Sequence, residues 1–349
     1  MWFRKFRVSC PEGIAHSELL GETVLASREP TRRNIMSHTK SHIMRNRALF
    51  NLADEHLLNL VKEHVLKDQN ASDAQARQVL AKYLNPVPRP QSLTGKDGIF
   101  HRLAYTAQDY GMAPSVIGKA MGGVDKLEPV LFGFDPQAVV EKYPDITHHQ
   151  ALLDTIVSDL KPKGKINQGP RALFPKYCRS LISGARFLSQ FNTAQEFYGW
   201  VEPLERDAAR RLELPRRVQQ EIFGFGFALS CIFFMDIGFA SLLKPDIWVI
   251  RFCNRLNIVS SEDPYLVFNA AIEFAEQVGT TPFCLDRMIW LIGTGEFWLD
   301  GVDLGSQDQR QSQRQLDDFV SFVRQREEQV RGERFVWKEG DIEIIKLGT

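Results

Sequence analysis

A chain of 349 residues, 44% apolar and 25% charged, has a globular composition with room for two ordinary domains. Lys plus Arg and Asp plus Glu each number 43, so the net charge is zero and any attraction to nucleic acid or a membrane surface must come from a local patch. Five cysteines (Cys10, Cys178, Cys231, Cys253 and Cys284) are odd in number, widely spaced and free of any CxxC or Cys/His grouping, which argues against a zinc or iron–sulfur site and for a reducing compartment.

The first residues, Met1-Trp2-Phe3-Arg4-Lys5, are followed by no apolar run of secretory length, so the expected location is the cytoplasm, with nucleoid association in a bacterial source. Residues 1–45 mix Arg, Lys, Ser, His and Pro without periodicity and read as a disordered basic lead. His38 and His42 are four apart, but no carboxylate or thiolate lies near them, and no metal is expected. Residues 46–90 form a helical N-terminal segment, with Leu49, Ala53, Leu57, Leu60, Val61 and Val65 on one face and Ser72 placed to cap a second helix. The Pro/Gly-rich stretch 84–98 reads as a linker.

Short helices follow, one of them with Asp135 as N-cap and Pro136 at its first position. Residues 161–190 carry seven Lys or Arg and no acid, the local positive patch that the zero total conceals; a solvated face and a phosphate-contacting surface are equally open readings. The segment 306–349 reads as a polar, exposed helix followed by a short β-hairpin about Glu339-Gly340. The sum is a mainly α protein without repeats or βαβ alternation.

The stretch "GFGFALSCIFFMDIGFASLLKPDIWVIRF" (224–252) needs separate treatment. Between Ile222 and Leu243 lie twenty-two residues with one charge, Asp236, long enough to span a bilayer; yet an acid at that depth costs about 3 kcal/mol on insertion scales, and no membrane partner is expected. Gly224 and Gly226 flank Phe225 directly after the helical "LPRRVQQEI". A tight turn there would present free amides at the start of the next helix, a geometry that binds phosphate. It is no dinucleotide fingerprint, because a helix precedes it and Leu229 replaces the third glycine.

This order of helix, Gly-Phe-Gly hairpin, apolar helix, Gly/Pro loop, aspartate and amphipathic helix resembles the helix-hairpin-helix (HhH-GPD) DNA glycosylases. "FGFGFALS" (223–230) matches their hairpin and "KPDIWVIR" (244–251) their aspartate segment. The upstream "LFGFDPQAVVEKY", "YCRSLISGARFL" and "FNTAQEFYGWV" are similar to the alkyladenine (3-methyladenine-type) branch. Three positions depart from the pattern: Phe223 stands for the usual proline, Trp248 for a frequent histidine, and the four-cysteine iron–sulfur pattern is absent.

The resemblance implies a two-lobed helical bundle over residues 99–305, with the hairpin at 216–239 and the aspartate loop at 240–252. It places Asp246 at the catalytic position, and Gly224, Phe225 and Gly226, with Lys176 and Arg179 of the basic patch, at the DNA phosphates. Tyr105, Tyr110, Trp200, Phe234 and Trp248 are candidates to stack on a flipped base, each also readable as core. Asp236 and Asp286 are acids in apolar settings, readable as caps or buried ion pairs before pocket groups. Family members that also cut the backbone carry a lysine two residues after the second hairpin glycine; Ala228 stands there, which implies a monofunctional enzyme. No cofactor is implied beyond a structural monovalent cation at the hairpin. The expected partner is double-stranded DNA with a damaged or modified base, met by a monomer. Three functions stay open: a base-excision-repair glycosylase, an enzyme of the same fold acting on modified thymine in hypermodified phage-type DNA, and a non-enzymatic DNA-binding module.

Overall fold

The computed structural model of the protein describes residues 32–86, 89, 91–109, 120–164, 166–169, 171–304, 309–331, 333–338 and 341–346. Helix α1 (Arg32–Leu60) begins inside the stretch expected to be a disordered lead; the rest of that lead, residues 1–31, lies outside the described residues. Residues 1–42 and 43–349 are separate compact units, and the hydrophobic core belongs to the second.

In that unit the apolar periodicity of α1 is realised as burial: Leu49, Ala53, Leu57 and Val61 are at most 2% exposed. Ser72 caps α2 (Asp73–Leu84) through a reciprocal capping box with Gln75, which satisfies two of the amides that a helix start leaves open. The stretch expected to be a linker is fastened to the body. Leu93 is buried, its carbonyl accepts from the Tyr198 hydroxyl at 2.8 Å, and the Arg89 guanidinium lies 3.8 Å above the Tyr198 ring.

Next come α3 (Lys96–Thr106), α4 (Pro136–Lys142) with Asp135 capping through Gln137, α5 (His149–Thr155) and α6 (Leu173–Ser189). Helix α6 carries part of the basic patch yet is mainly a core helix; Tyr177, Cys178, Leu181 and Ile182 are fully buried and the Tyr177 hydroxyl donates to the Ala104 carbonyl at 2.8 Å. Its basic residues occupy the opposite stripe, Lys176 and Arg179 half-buried and Arg186 exposed. Helices α7 (Ala194–Arg206) and α8 (Glu213–Glu221) lead into α9 (Phe227–Asp236). No helix among the described residues is long and apolar enough to cross a membrane. The apolar run is broken after ten helical residues: Gly238 adopts φ +99°, a left-handed conformation that side chains resist, and the chain turns away as a loop.

Helices α10 (Ile247–Arg255), α11 (Pro264–Val278) and α12 (Pro282–Thr294) complete the body, α12 packing on α10, α11 and α2. A two-residue ladder, β1 (Glu296–Phe297) with β2 (Val302–Asp303), precedes α13 (Gln309–Arg331), and the antiparallel hairpin β3 (Glu333–Lys338) and β4 (Asp341–Lys346) ends the described chain as expected. Helix α13 is not the exposed helix its polar composition suggests. Leu316, Phe319, Val320 and Val323, spaced 3, 4 and 7 apart, form one stripe that is buried against the body, with the Phe319 ring stacked on Phe252 at 5.8 Å.

His56 of α1 faces this contact, 5.2 Å from Phe319 and 5.6 Å from Phe322, with its Nε2 buried and without a hydrogen-bond partner among the described residues. Burial pushes its pKa down to about 4, the charge of Asp318 opposing only in part. Between about pH 6.5 and 4 the unfolded chain therefore binds the extra proton, so stability is full above the unfolded pKa and falls with acidification, by on the order of 3 kcal/mol. His56→Leu should flatten the fall in melting temperature between pH 7 and 4.5; an unchanged slope would place the acid sensitivity elsewhere.

Candidate active site

Pro245 sets the geometry of the loop after α9. The Asp246 amide donates to the Lys244 carbonyl at 2.8 Å, a three-residue turn about the proline that brings side chains 244 and 246 to the same side. Asp246 is the N-cap of α10: its Oδ1 accepts from the amides of Trp248 at 2.9 Å and Val249 at 3.2 Å. Its Oδ2 lies 2.8 Å from the Lys244 Nζ, with both side chains about a fifth exposed. Cap and candidate catalytic group are thus the same carboxylate.

The loop is held from below by Asp286 of α12, which is 2% exposed and whose Oδ1 accepts from the Lys244 amide at 2.8 Å. Burial acts against the Lys244 ammonium, but the charges of Asp246 and Asp286 outweigh it and hold its pKa above the ordinary lysine range. Burial pushes the Asp286 carboxyl up to about 6 although Lys244 pulls the other way.

Lys244 also lines a cavity of about 520 Å³. Arg102, Tyr105 and Asp109 form one wall; Ile232, Met235 and Asp236 of α9 a second; Asp286, Arg287 and Trp290 of α12 a third; Glu296 and Trp298 close the rim. Asp236, the lone acid of the apolar run, accepts from the Thr106 hydroxyl at 3.1 Å, and burial raises its pKa against the opposing charges of Arg102 and Arg287. Asp109 is pushed up to about 6, by burial first and then by the charge of Asp236. The two arginines lean on ring faces, Arg102 on Tyr105 at 5.3 Å and Arg287 on Phe283 at 5.2 Å. The result is a polar cavity with aromatic edges and four carboxyls whose ionisation burial opposes.

The hairpin stands at the other end of α9, separated from the Met235 wall by about 12 Å of helical rise. Gly224 has φ +82°, and Gly226 is the N-cap of α9 without a side-chain cap, so the first amides of that helix stay available to an anion. Phe225 contributes only its backbone at the turn, because its ring is 3% exposed. The turn is braced from α6: the Ser180 hydroxyl donates to the Phe223 carbonyl at 2.7 Å, and the Phe223 amide donates to the Ser183 Oγ at 2.9 Å. Arg179 lies 5.4 Å above the Phe223 ring and Lys176 one turn earlier on the same helix, so both basic candidates are placed beside the hairpin. A monovalent cation would need hairpin carbonyls. Those of Ile222, Phe223 and Gly226 accept from Phe225, Ser180 and Ser230, and a carbonyl has a second lone pair that an ion could share. A second cavity of about 410 Å³, lined by Ser183, Arg186, Gln220 and Phe223 among others, opens beside the hairpin, but Asp246 and Lys244 have no part in it.

Of the five aromatic candidates, Tyr105 reaches the cavity of Lys244 and is 47% exposed. Tyr110 lies outside the described residues. Phe234 is fully buried, and Trp200 packs with Phe187, Phe191, Phe197 and Phe234 beneath the Arg217 guanidinium, so these two are parts of the core and its edge. Trp248 packs against Gly293, where an added Cβ would come within 2.6 Å of its ring. Asp236 and Asp286 do line the cavity. Lys244, Arg102, Asp109, Arg287, Trp290 and Trp298 were not anticipated as site residues; the only signal was the Lys-Pro-Asp spacing, which across a tight proline turn puts the two charges side by side.

No protein-family model and no curated protein matches the chain. Among solved structures it is similar to the 8-oxoguanine DNA glycosylase of Thermotoga maritima, at a TM-score of 0.41 and 15% identity over 71% of this chain and 99% of that one. It is also similar to the 8-oxoguanine glycosylase/lyase of Methanocaldococcus jannaschii in complex with DNA containing 8-oxoguanine, at a TM-score of 0.39 and 15% identity over 69% and 99% of the two chains. At these values the site has to be read from its own residues.

A carboxyl whose pKa is raised on folding makes the native state bind more protons than the unfolded chain between the two pKa values, so stability drops as pH rises through that window. For Asp286 the window runs from about 4 to about 6, and the loss is on the order of 3 kcal/mol. Asp286→Asn keeps an acceptor for the Lys244 amide and removes the charge. Relative to the parent, its stability to urea should therefore improve between pH 4 and pH 8; a constant difference across that range would contradict the assignment.

Proposed function

We propose that the protein is a DNA glycosylase that flips a damaged or modified base from duplex DNA and hydrolyses its N-glycosidic bond, with Asp246 as the catalytic carboxylate. The observation that carries this reading is the placement of Asp246, fixed by two helix amides and paired with Lys244, which itself lines a polar cavity of about 520 Å³. Cleavage of an N-glycosidic bond develops positive charge on the deoxyribose, and a preorganised carboxylate stabilises that charge and orients the attacking water. The amides at the start of α9, with Lys176 and Arg179 beside them, suit the phosphates of the strand whose nucleotide is extruded.

The wall chemistry favours a base with hydrogen-bonding substituents over one marked only by an apolar methyl group, since seven ionisable side chains besides Tyr105 line the cavity. The volume of about 520 Å³ supports, as the second reading, a bulky modified base as substrate. The reaction is proposed to leave an intact abasic site. Ala228 offers no amine after the hairpin, and Lys244 is held as an ammonium by its two acidic neighbours.

Asp246→Asn should lower base release from a panel of lesion-bearing duplexes by at least about 100-fold while duplex binding is retained. Unchanged release would remove Asp246 from the chemistry, and no release by the parent from any lesion would sink the glycosylase reading. Strand breaks should appear only after alkali. Efficient trapping of a protein–DNA adduct by borohydride would instead reveal an amine nucleophile.

A further inference from the structure

Both oxygens of Asp246 are engaged in the structure: Oδ1 accepts from the amides of Trp248 and Val249, and Oδ2 faces Lys244 with one acceptor site left over. A sugar cation would compete with these contacts for the charge of the carboxylate. The amides belong to the helix and cannot move without unwinding α10. The Lys244 side chain can, because its backbone is anchored separately through Asp286 and its stem borders the cavity in which the base would lie. The base then leaves with negative charge into a cavity that Arg102, Lys244 and Arg287 share with four carboxyls. Of these three cations only the Lys244 ammonium can give up a proton to quench it.

We infer that Lys244 is the general acid of the reaction, protonating the departing base, and that Asp246 afterwards returns the proton to it across their 2.8 Å contact. This rests on the glycosylase reading proposed above. The balance closes within the site. As the C1′–N bond breaks, its electron pair goes to the base nitrogen, which takes a proton from the Lys244 Nζ and leaves a neutral amine. Water adds to the C1′ cation, and its proton goes to the Asp246 carboxylate. Transfer of that proton from Asp246 to the Lys244 amine regenerates the ammonium–carboxylate pair, so no proton from bulk solvent is required. The two roles are coupled by charge. Growing positive charge on the sugar competes with Lys244 for Asp246, and loss of that partner makes the ammonium a stronger acid when the base needs its proton.

The test uses the full chain, two variants and several leaving groups. Lys244→Met removes the proton donor, and Lys244→Arg keeps a cation beside Asp246 that holds its proton at any working pH. Duplexes carrying hypoxanthine, 8-oxoguanine, uracil, 5-hydroxymethyluracil or 7-methylguanine, the last departing without need of a proton, are compared in single-turnover base release. Both variants are expected to bind duplex DNA like the parent and to release neutral bases about 100-fold more slowly, the deficit shrinking as the N–H of the departing base becomes more acidic. Recovery of the parent rate by Lys244→Arg would show that only the charge matters, and an equal deficit for every base would show a structural role; either result overturns the inference. Borohydride trapping that maps to Lys244 overturns it too, by making the amine a nucleophile. If Lys244→Met does not fold, the parent decides, since proton-assisted departure gives a shallow dependence of rate on base acidity and a steep one refutes it. A parent that releases no base from any duplex removes the glycosylase reading itself, a failure distinct from that of Lys244.

Discussion

The site depends on one ion pair and on the backbone that holds it. Lys244 and Asp246 meet because Pro245 closes a three-residue turn, and the turn stays in place because Asp286 accepts the Lys244 amide from α12. Each contact serves two purposes. The Asp246 Oδ1 starts α10, and its Oδ2 neutralises a lysine that would otherwise be stranded; the Asp286 Oδ1 fixes the loop while its charge helps to hold the lysine protonated. Breaking a pair at this depth by removing one partner typically costs several kcal/mol, because the remaining charge is left without a counter-ion.

The cavity extends the same compromise. Arg102, Lys244 and Arg287 face Asp109, Asp236, Asp286 and Glu296, and for all four acids burial raises the pKa. So many buried charges are costly to stability, and their concentration around Lys244, the partner of Asp246, is what makes this cavity the candidate site. Asp236 owes its position to α9, which is apolar almost all round and buried as a whole, so that the acid at its last turn is carried to the cavity wall.

Helix α9 also relates the two ends of the site. Its start, the uncapped turn at Gly226, is tied to α6 by Ser180 and Ser183, and its end supplies Met235 and Asp236 to the cavity. If the turn holds a phosphate as proposed, this helix fixes the reach of a nucleotide from that turn toward the polar cavity. Around this axis α12 and α13 act as supports. α12 places Asp286 and Arg287, and the apolar stripe of α13 covers Phe252 on α10.

Much of this was legible in the residues. Apolar spacing gave α1, the Ser72 and Asp135 caps placed two later helix starts, and the paired glycines with Lys-Pro-Asp marked both ends of the site, because these features act through neighbours a few positions apart. What composition suggested for α13 failed for a local reason as well: a narrow stripe of four apolar residues suffices to bury a helix that is polar on average. The cavity was legible only in part. Tyr105, Asp236 and Asp286 were marked by type, but Phe234 and Trp200 carry equally suitable rings and turn into the core. Sequence alone determined which groups have the chemistry, since that is a property of the side chain. Only the tertiary structure decided which of them meet, because Arg102 and Asp109, Lys244, and Asp286 and Trp298 come from three segments far apart in the chain, and their convergence arises from the packing of α3 on α9 and of α12 on α10 rather than from any local pattern.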